Sequence, residues 1–190
     1  MKLIIDFDDT LFSAKDFKEL MFSGIERRGI DRELVSRFYY NNRGNFTNPR
    51  NFYMSLALDS LIDISSSEID AASEALFVKM KDLVNQELVG IIKRLGPENC
   101  FIVSAGEELF QRRKISSCEI EELFGEIHIV DKDKNAAIEG LMNKYPGEDF
   151  VFVDDKVENI ERAKQIVNKE QELHVIHYPN ELERFKDLIK

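Results

Sequence analysis

The run Asp6-Phe7-Asp8-Asp9-Thr10-Leu11 sets three carboxylates directly after a short apolar stretch, Leu3-Ile4-Ile5. Taking such charges out of water is costly unless a cation or hydrogen bonds compensate. A second acidic pair, Asp154-Asp155, follows Phe152-Val153 and precedes Lys156, Glu158 and Asn159. Taken singly, each cluster also reads as a polar turn, or as a helix start dressed with acids to suit the dipole. Both apolar runs read as strands. In a parallel sheet both would end on one edge, where open α/β sheets bind ligands, and their carboxylates would converge. One or two carboxylates, completed by phosphate oxygens and water, make a Mg²⁺ site.

Two further segments could handle an anion. Val103-Ser104-Ala105-Gly106 offers a hydroxyl and free backbone N–H groups at a helix start, which cradle phosphate or simply cap the helix. In Asp131-Lys132-Asp133-Lys134-Asn135-Ala136-Ala137 a lysine opens a helix, where its charge opposes the dipole. Neutralising an anion would give it a reason to be there, and a solvated charge run is the plainer reading.

The elements that must position these residues are legible as short strands and longer helices. Lys2 to Asp6, Asn99 to Ser104, Glu126 to Val130, Asp149 to Asp154 and Glu172 to His177 are β-branched or aromatic and nearly continuous in apolar character. That is the pattern of strands covered on both faces. Helical spacing over 107–114, 134–144 and 157–167 alternates with the last four strands, which predicts βαβ units and a doubly wound parallel five-stranded sheet. Residues 13–95 break the alternation and read as mainly helical. The clearest periodicity predicts one helix from Glu68 to Leu95, with a capping box of Ser67 and Asp70 at its start and Gly96-Pro97 at its end.

These strand-end motifs, in this order, resemble the haloacid dehalogenase-like hydrolase superfamily. The resemblance rests on Asp6-Phe7-Asp8-Asp9-Thr10-Leu11, Val103-Ser104-Ala105-Gly106, the following lysine and Val153-Asp154-Asp155. It implies a Rossmann-like core of residues 1–12 and 96–190 with a helical cap, 13–95, inserted after the first strand. It further implies a Mg²⁺-dependent phosphomonoester hydrolase working through an aspartyl-phosphate, with a phosphomutase or phosphotransferase as the alternative and a non-catalytic binding or regulatory module as the remaining reading. Asp6 would be the nucleophile and Asp8 the acid and base. Asp6, Asp155 and the Asp8 carbonyl would hold the metal, and Ser104, Ala105 and Lys134 would hold phosphate, Lys132 being the other candidate lysine. Asp154, Asn159 and Thr10 are secondary candidates, Asn159 as a partner of Asp155. An acid at position 8 favours phosphoryl transfer, because halide leaves without a proton.

Composition bounds the rest. The 190 residues carry a net charge of −10, 43% hydrophobic residues and 33% charged ones, enough apolar matter for a buried core. The acidic balance disfavours general binding to nucleic acid. No apolar run approaches the ~20 residues of a membrane span. No stretch resembles a signal peptide, so a soluble cytoplasmic chain acting on a small phosphorylated substrate is expected. Two cysteines are too few for a disulfide framework. GxxxxGK[ST], GxGxxG and GxSxG are absent, and His128, His174 and His177 read as packed or surface histidines. Six arginines lie between positions 27 and 50, interleaved with Phe38, Tyr39, Tyr40 and Phe46. They read either as a solvated surface over an aromatic core, or as a cap in which Arg43 or Arg50 meets a second anionic group on the substrate.

Overall fold

The computed structural model describes residues 1–42, 48–166 and 170–189. Five strands form one all-parallel sheet: β1 (Lys2–Ile5), β2 (Cys100–Ala105), β3 (Glu126–Val130), β4 (Phe150–Asp154) and β5 (Leu173–His177), in the order β3-β2-β1-β4-β5. Helices α1 (Ala14–Glu26), α2 (Arg32–Asn41), α3 (Pro49–Asp59) and α4 (Ser66–Phe77) follow β1, and α5 (Gln86–Leu95) leads into β2. α6 (Glu108–Ser117), α7 (Asn135–Lys144), α8 (Val157–Ala163) and α9 (Leu182–Leu188) alternate with the remaining strands. The strand register pairs Ile4 with Phe101 and with Phe152, so the ends of β1, β2 and β4 lie side by side.

Side chains alternate across a strand, and here both faces are buried. Ile4, Phe101, Val103, Phe150 and Phe152 pack with Ile138, Leu141 and Met142 of α7 and Ile160 and Ala163 of α8. Leu3, Ile5, Ile102, Val151 and Val153 point the other way and are equally buried. On that side the Cys100 thiol reaches the Ile92 carbonyl of α5 at 3.8 Å. The edge strand β3 is only half-buried along its length.

The chain divides into two compact units, Met1–Ser13 with Val84–Lys190, and Ala14–Leu83. The helical insert expected over residues 13–95 therefore ends at Leu83. The single helix expected from Glu68 to Leu95 is three elements: α4, a 3₁₀ turn at Met80–Leu83, and α5. Asn85 makes the break, accepting from the N–H groups of Glu87 and Leu88 and capping α5 afresh. The apolar run is continuous because its two halves serve two cores. The capping box of α4 is Ser65 with Glu68, two residues earlier than the expected Ser67 with Asp70. α8 stops at Ala163 rather than near position 167, which lies outside the described residues.

Within the helical unit most of the aromatics are core, while Tyr40 is exposed. Phe22, Phe38, Tyr39 and Phe52 pack ring to ring with centroids 5.4–6.2 Å apart. The buried Tyr53 hydroxyl donates to the Met21 carbonyl at 2.7 Å. A Cβ on Gly24 would come within 2.9 Å of that hydroxyl, which accounts for a glycine inside α1. Two of the arginines pair with carboxylates of the same unit. Arg32 pairs with Glu19 and Glu26, and Arg50 with Asp70 at 2.6 Å and Ser66 at 3.3 Å. Arg43 and Phe46 lie outside the described residues. No helix among the described residues is long and apolar enough to cross a membrane.

Candidate active site

The site is built where β1, β2 and β4 end. Asp6 continues the line of β1, its N–H donating to the Val153 carbonyl of β4 at 2.9 Å. The chain then turns back, with the N–H groups of Leu11 and Phe12 both donating to the Phe7 carbonyl. Asp9 sits at φ 59°, a left-handed conformation that aspartate tolerates better than most residues. Phe7, Leu11 and Phe12 are buried, so the turn is pinned by its apolar residues and offers Asp6 and Asp8 at the sheet edge.

Lys134 sits at the centre of the charges. It is 3% exposed, and its Nζ donates to Asp6 Oδ1 at 2.5 Å and to Asp154 Oδ2 at 2.7 Å. This is the lysine that opens α7 against the dipole, and two buried carboxylates hold it there. Lys132 is exposed. Asp154 is fully enclosed, and besides Lys134 it accepts from the Lys156 N–H and from both contacts of the Asn159 amide, at 3.0 and 3.1 Å. Asn159 thus serves Asp154, not Asp155 as the resemblance implied. The correction follows from burial: Asp154, fully enclosed, takes the donors.

Asp6 Oδ2 and Asp155 Oδ1 are buried and accept no hydrogen bond. Oxygens of Asp6, Asp154 and Asp155 all lie within 4.8 Å of one another. Burial pushes the Asp6 carboxyl well above the usual carboxylate range, against the pull of Lys134. Asp155 is raised by burial and then by the charge of Asp154. A divalent cation would reverse both shifts and satisfy both orphaned oxygens, and an all-oxygen donor set suits Mg²⁺. Since Asp154 is already committed to Lys134, Asn159 and Lys156, the pair free to hold a cation is Asp6 with Asp155.

Ser104, the next-to-last residue of β2, is fully buried, and Ala105, which ends the strand, is half-buried. Thr10 is buried with its hydroxyl unpartnered. Two residues outside the sequence motifs complete the site. Gln111 and Lys114 of α6 both reach Asp8. Lys114 Nζ donates to Asp8 Oδ1 at 2.5 Å and Oδ2 at 2.7 Å, and Gln111 Nε2 to Oδ2 at 2.7 Å. Gln111 also touches Ser104 Oγ at 3.0 Å and the Ala105 carbonyl at 3.1 Å. Gln111, Lys114, Ile115 and Cys118 share one helical face and are buried, a burial that the polar run Gln111-Arg112-Arg113-Lys114 does not announce. His177 lies beside the site, its Nε2 3.0 Å from the Asp155 carbonyl oxygen.

No family model matches the chain. No curated protein matches it. Among solved structures it is similar to a Burkholderia xenovorans LB400 protein described as a haloacid dehalogenase-like hydrolase, at 18% identity and a TM-score of 0.66 over 99% of this chain and 96% of that one. It is similar to YfnB of Bacillus subtilis, described as a HAD-hydrolase bound to magnesium, at 12% identity and a TM-score of 0.59, covering 100% of this chain and 98% of that one. It is also similar to the L-2-haloacid dehalogenase of Xanthobacter autotrophicus, at 13% identity and a TM-score of 0.58, covering 100% of this chain and 82% of that one. Identities this low speak for architecture alone, and the architecture is shared along the whole chain: it has the fold of the haloacid dehalogenase-like hydrolases.

Proposed function

We propose that this protein is a Mg²⁺-dependent phosphatase that hydrolyses a small phosphomonoester through a phosphoryl group carried on Asp6. The observation that supports it most is the pair of orphaned carboxylate oxygens, on Asp6 and Asp155, beside a lysine already held by two carboxylates. Asp6 and Asp155 would hold Mg²⁺, with the Asp8 carbonyl as a third protein ligand. When bound, the metal offsets repulsion between an anionic nucleophile and an anionic substrate.

Asp6 attacks phosphorus, and the bond from phosphorus to the leaving oxygen breaks as Asp8 delivers a proton to that oxygen. Water then attacks the same phosphorus and gives its proton to Asp8, and the bond to Asp6 breaks. One carboxyl serves both steps, because leaving group and water take the same line. Ser104 and the Ala105 N–H bind phosphate oxygens, and Lys134 balances the charge that Asp6 and phosphate bring together. A mutase would differ only in the hydroxyl that replaces water.

Dehalogenation is the second reading, because one neighbour of the same fold is an L-2-haloacid dehalogenase. Halide departs without a proton, so the first step of a dehalogenation needs no acid at position 8, whereas departure of an alcohol does. The test is turnover of 4-nitrophenyl phosphate and of 2-chloropropionate with and without Mg²⁺. The phosphate is expected to turn over, with loss on chelation and a fall of at least ~10³-fold in Asp6→Asn. Metal-independent release of chloride, with the phosphate untouched, would establish the second reading instead.

A further inference from the structure

Asp8 carries the proton in the reading above, yet it is not free. A carboxylate has about four lone-pair directions. Three are taken, two by Lys114 and one by Gln111. The donors come from one helix, one turn apart, so they move as a unit. Lys114 is 5% exposed, and its Nζ lies 5.4, 5.5 and 5.2 Å from the ring centres of Phe7, Phe12 and Phe110. Three aromatic faces hold the ammonium by cation–π attraction and bar its exit to water. Asp8 is its ion-pair partner. The Gln111 amide joins Asp8 to Ser104, and therefore the acid to the phosphate-holding hydroxyl. Gly106 leaves room for it: a Cβ there would meet Gln111 Cγ at 2.9 Å.

We propose that Gln111 and Lys114 are positioning residues that clamp the Asp8 carboxylate and leave it one acceptor direction, on Oδ1, for exchange of the proton with the leaving oxygen and then with water. The inference rests on the phosphatase reading. Without the clamp the carboxylate turns about its own bonds, and proton transfer loses its alignment while substrate binding does not.

The experiment is rapid mixing with Mg²⁺ and 4-nitrophenyl phosphate. Nitrophenolate leaves without an acid, whereas water clearing Asp6 needs a base. Lys114→Met should therefore release one nitrophenolate per site in a fast burst, then turn over ~10–100-fold more slowly than wild type, within the range that general acid–base catalysis contributes. KM should fall in step with the steady rate, because the phosphoryl form accumulates, so that kcat/KM for this ester is unchanged. Lys114→Arg should recover much of the steady rate, since a guanidinium also donates to both carboxylate oxygens. Gln111→Met should show the same split, smaller in size, and with Lys114→Arg carries the test if Lys114→Met does not fold. Equal falls in burst and steady rate, in variants that melt as wild type does, would make the pair structural and overturn the inference, as would no change in either. A wild-type protein with no Mg²⁺-dependent turnover would overturn the phosphatase reading itself, a different result from either of these.

Discussion

Replacing Lys134 with methionine would leave Asp6 and Asp154 buried and facing each other with no cation between them. Removing one partner from a buried ion pair costs about 3–5 kcal/mol, because the charge left behind is uncompensated. Lys134→Met is therefore expected to lower stability by about that amount in urea unfolding without metal, and Lys132→Met by less than about 0.5 kcal/mol, as for an ordinary surface change. Similar losses for the two would contradict the assignment. At this scale the sequence told most of the story. Asp6, Asp8, Lys134, Asp154 and Asp155 stand at strand ends and helix starts, where the backbone leaves little choice of direction. Gln111 and Lys114 were hidden because Gln111-Arg112-Arg113-Lys114 looks like a solvated polar run. Only the burial of one face separates Gln111 and Lys114 from the exposed Arg112 and Arg113.

Element boundaries were legible where a residue type enforces them. All five strands fall within a residue of the apolar runs, because a strand buried on both faces can hold few polar residues. Gly96-Pro97 ends α5 as expected, the glycine at φ 84°. The helix through 68–95 was misread because periodicity reports an apolar face and not which core it faces. The Asn85 cap was overlooked because asparagine inside an apolar period looks like an ordinary polar position. Capping gives this scale its test. Ser65 accepts from the Glu68 N–H while Glu68 accepts from the Ser65 N–H, so Ser65→Ala should cost roughly 1 kcal/mol of stability. Ser67→Ala should cost clearly less. Chemical denaturation of both variants decides between the two registers, and a larger loss at Ser67 would restore the original one.

For the molecule as a whole, the parallel five-stranded sheet and the convergence of strand ends followed from the alternation of strands with helices, while the strand order is read from the structure alone. The extent of the insert did not, because the boundary at Leu83 and Val84 falls inside one apolar stretch. A site with two unpartnered carboxylate oxygens is a folding liability that a cation converts into an asset. Any ligand that binds only the folded state stabilises it, by about 2.7 kcal/mol at a hundred times Kd. At about 2–4 °C per kcal/mol for a chain of this size, saturating Mg²⁺ should raise the melting temperature by roughly 5–10 °C. Asp155→Asn should abolish the rise while leaving the metal-free protein at least as stable, since it removes a like charge from beside Asp6 and Asp154.

The central claim, that a phosphoryl group passes through Asp6, is tested most directly by trapping it. In Asp8→Asn a good leaving group still departs, but the water that should clear Asp6 has lost its base. Asp8→Asn mixed with Mg²⁺ and 4-nitrophenyl phosphate, quenched in acid and read by peptide mass, should carry one phosphoryl group, on the peptide containing Asp6. The group should be absent when chelator replaces the metal and absent when Asp6 is also changed to Asn. A phosphoryl group on any other residue, or none while nitrophenolate is released, would contradict the account.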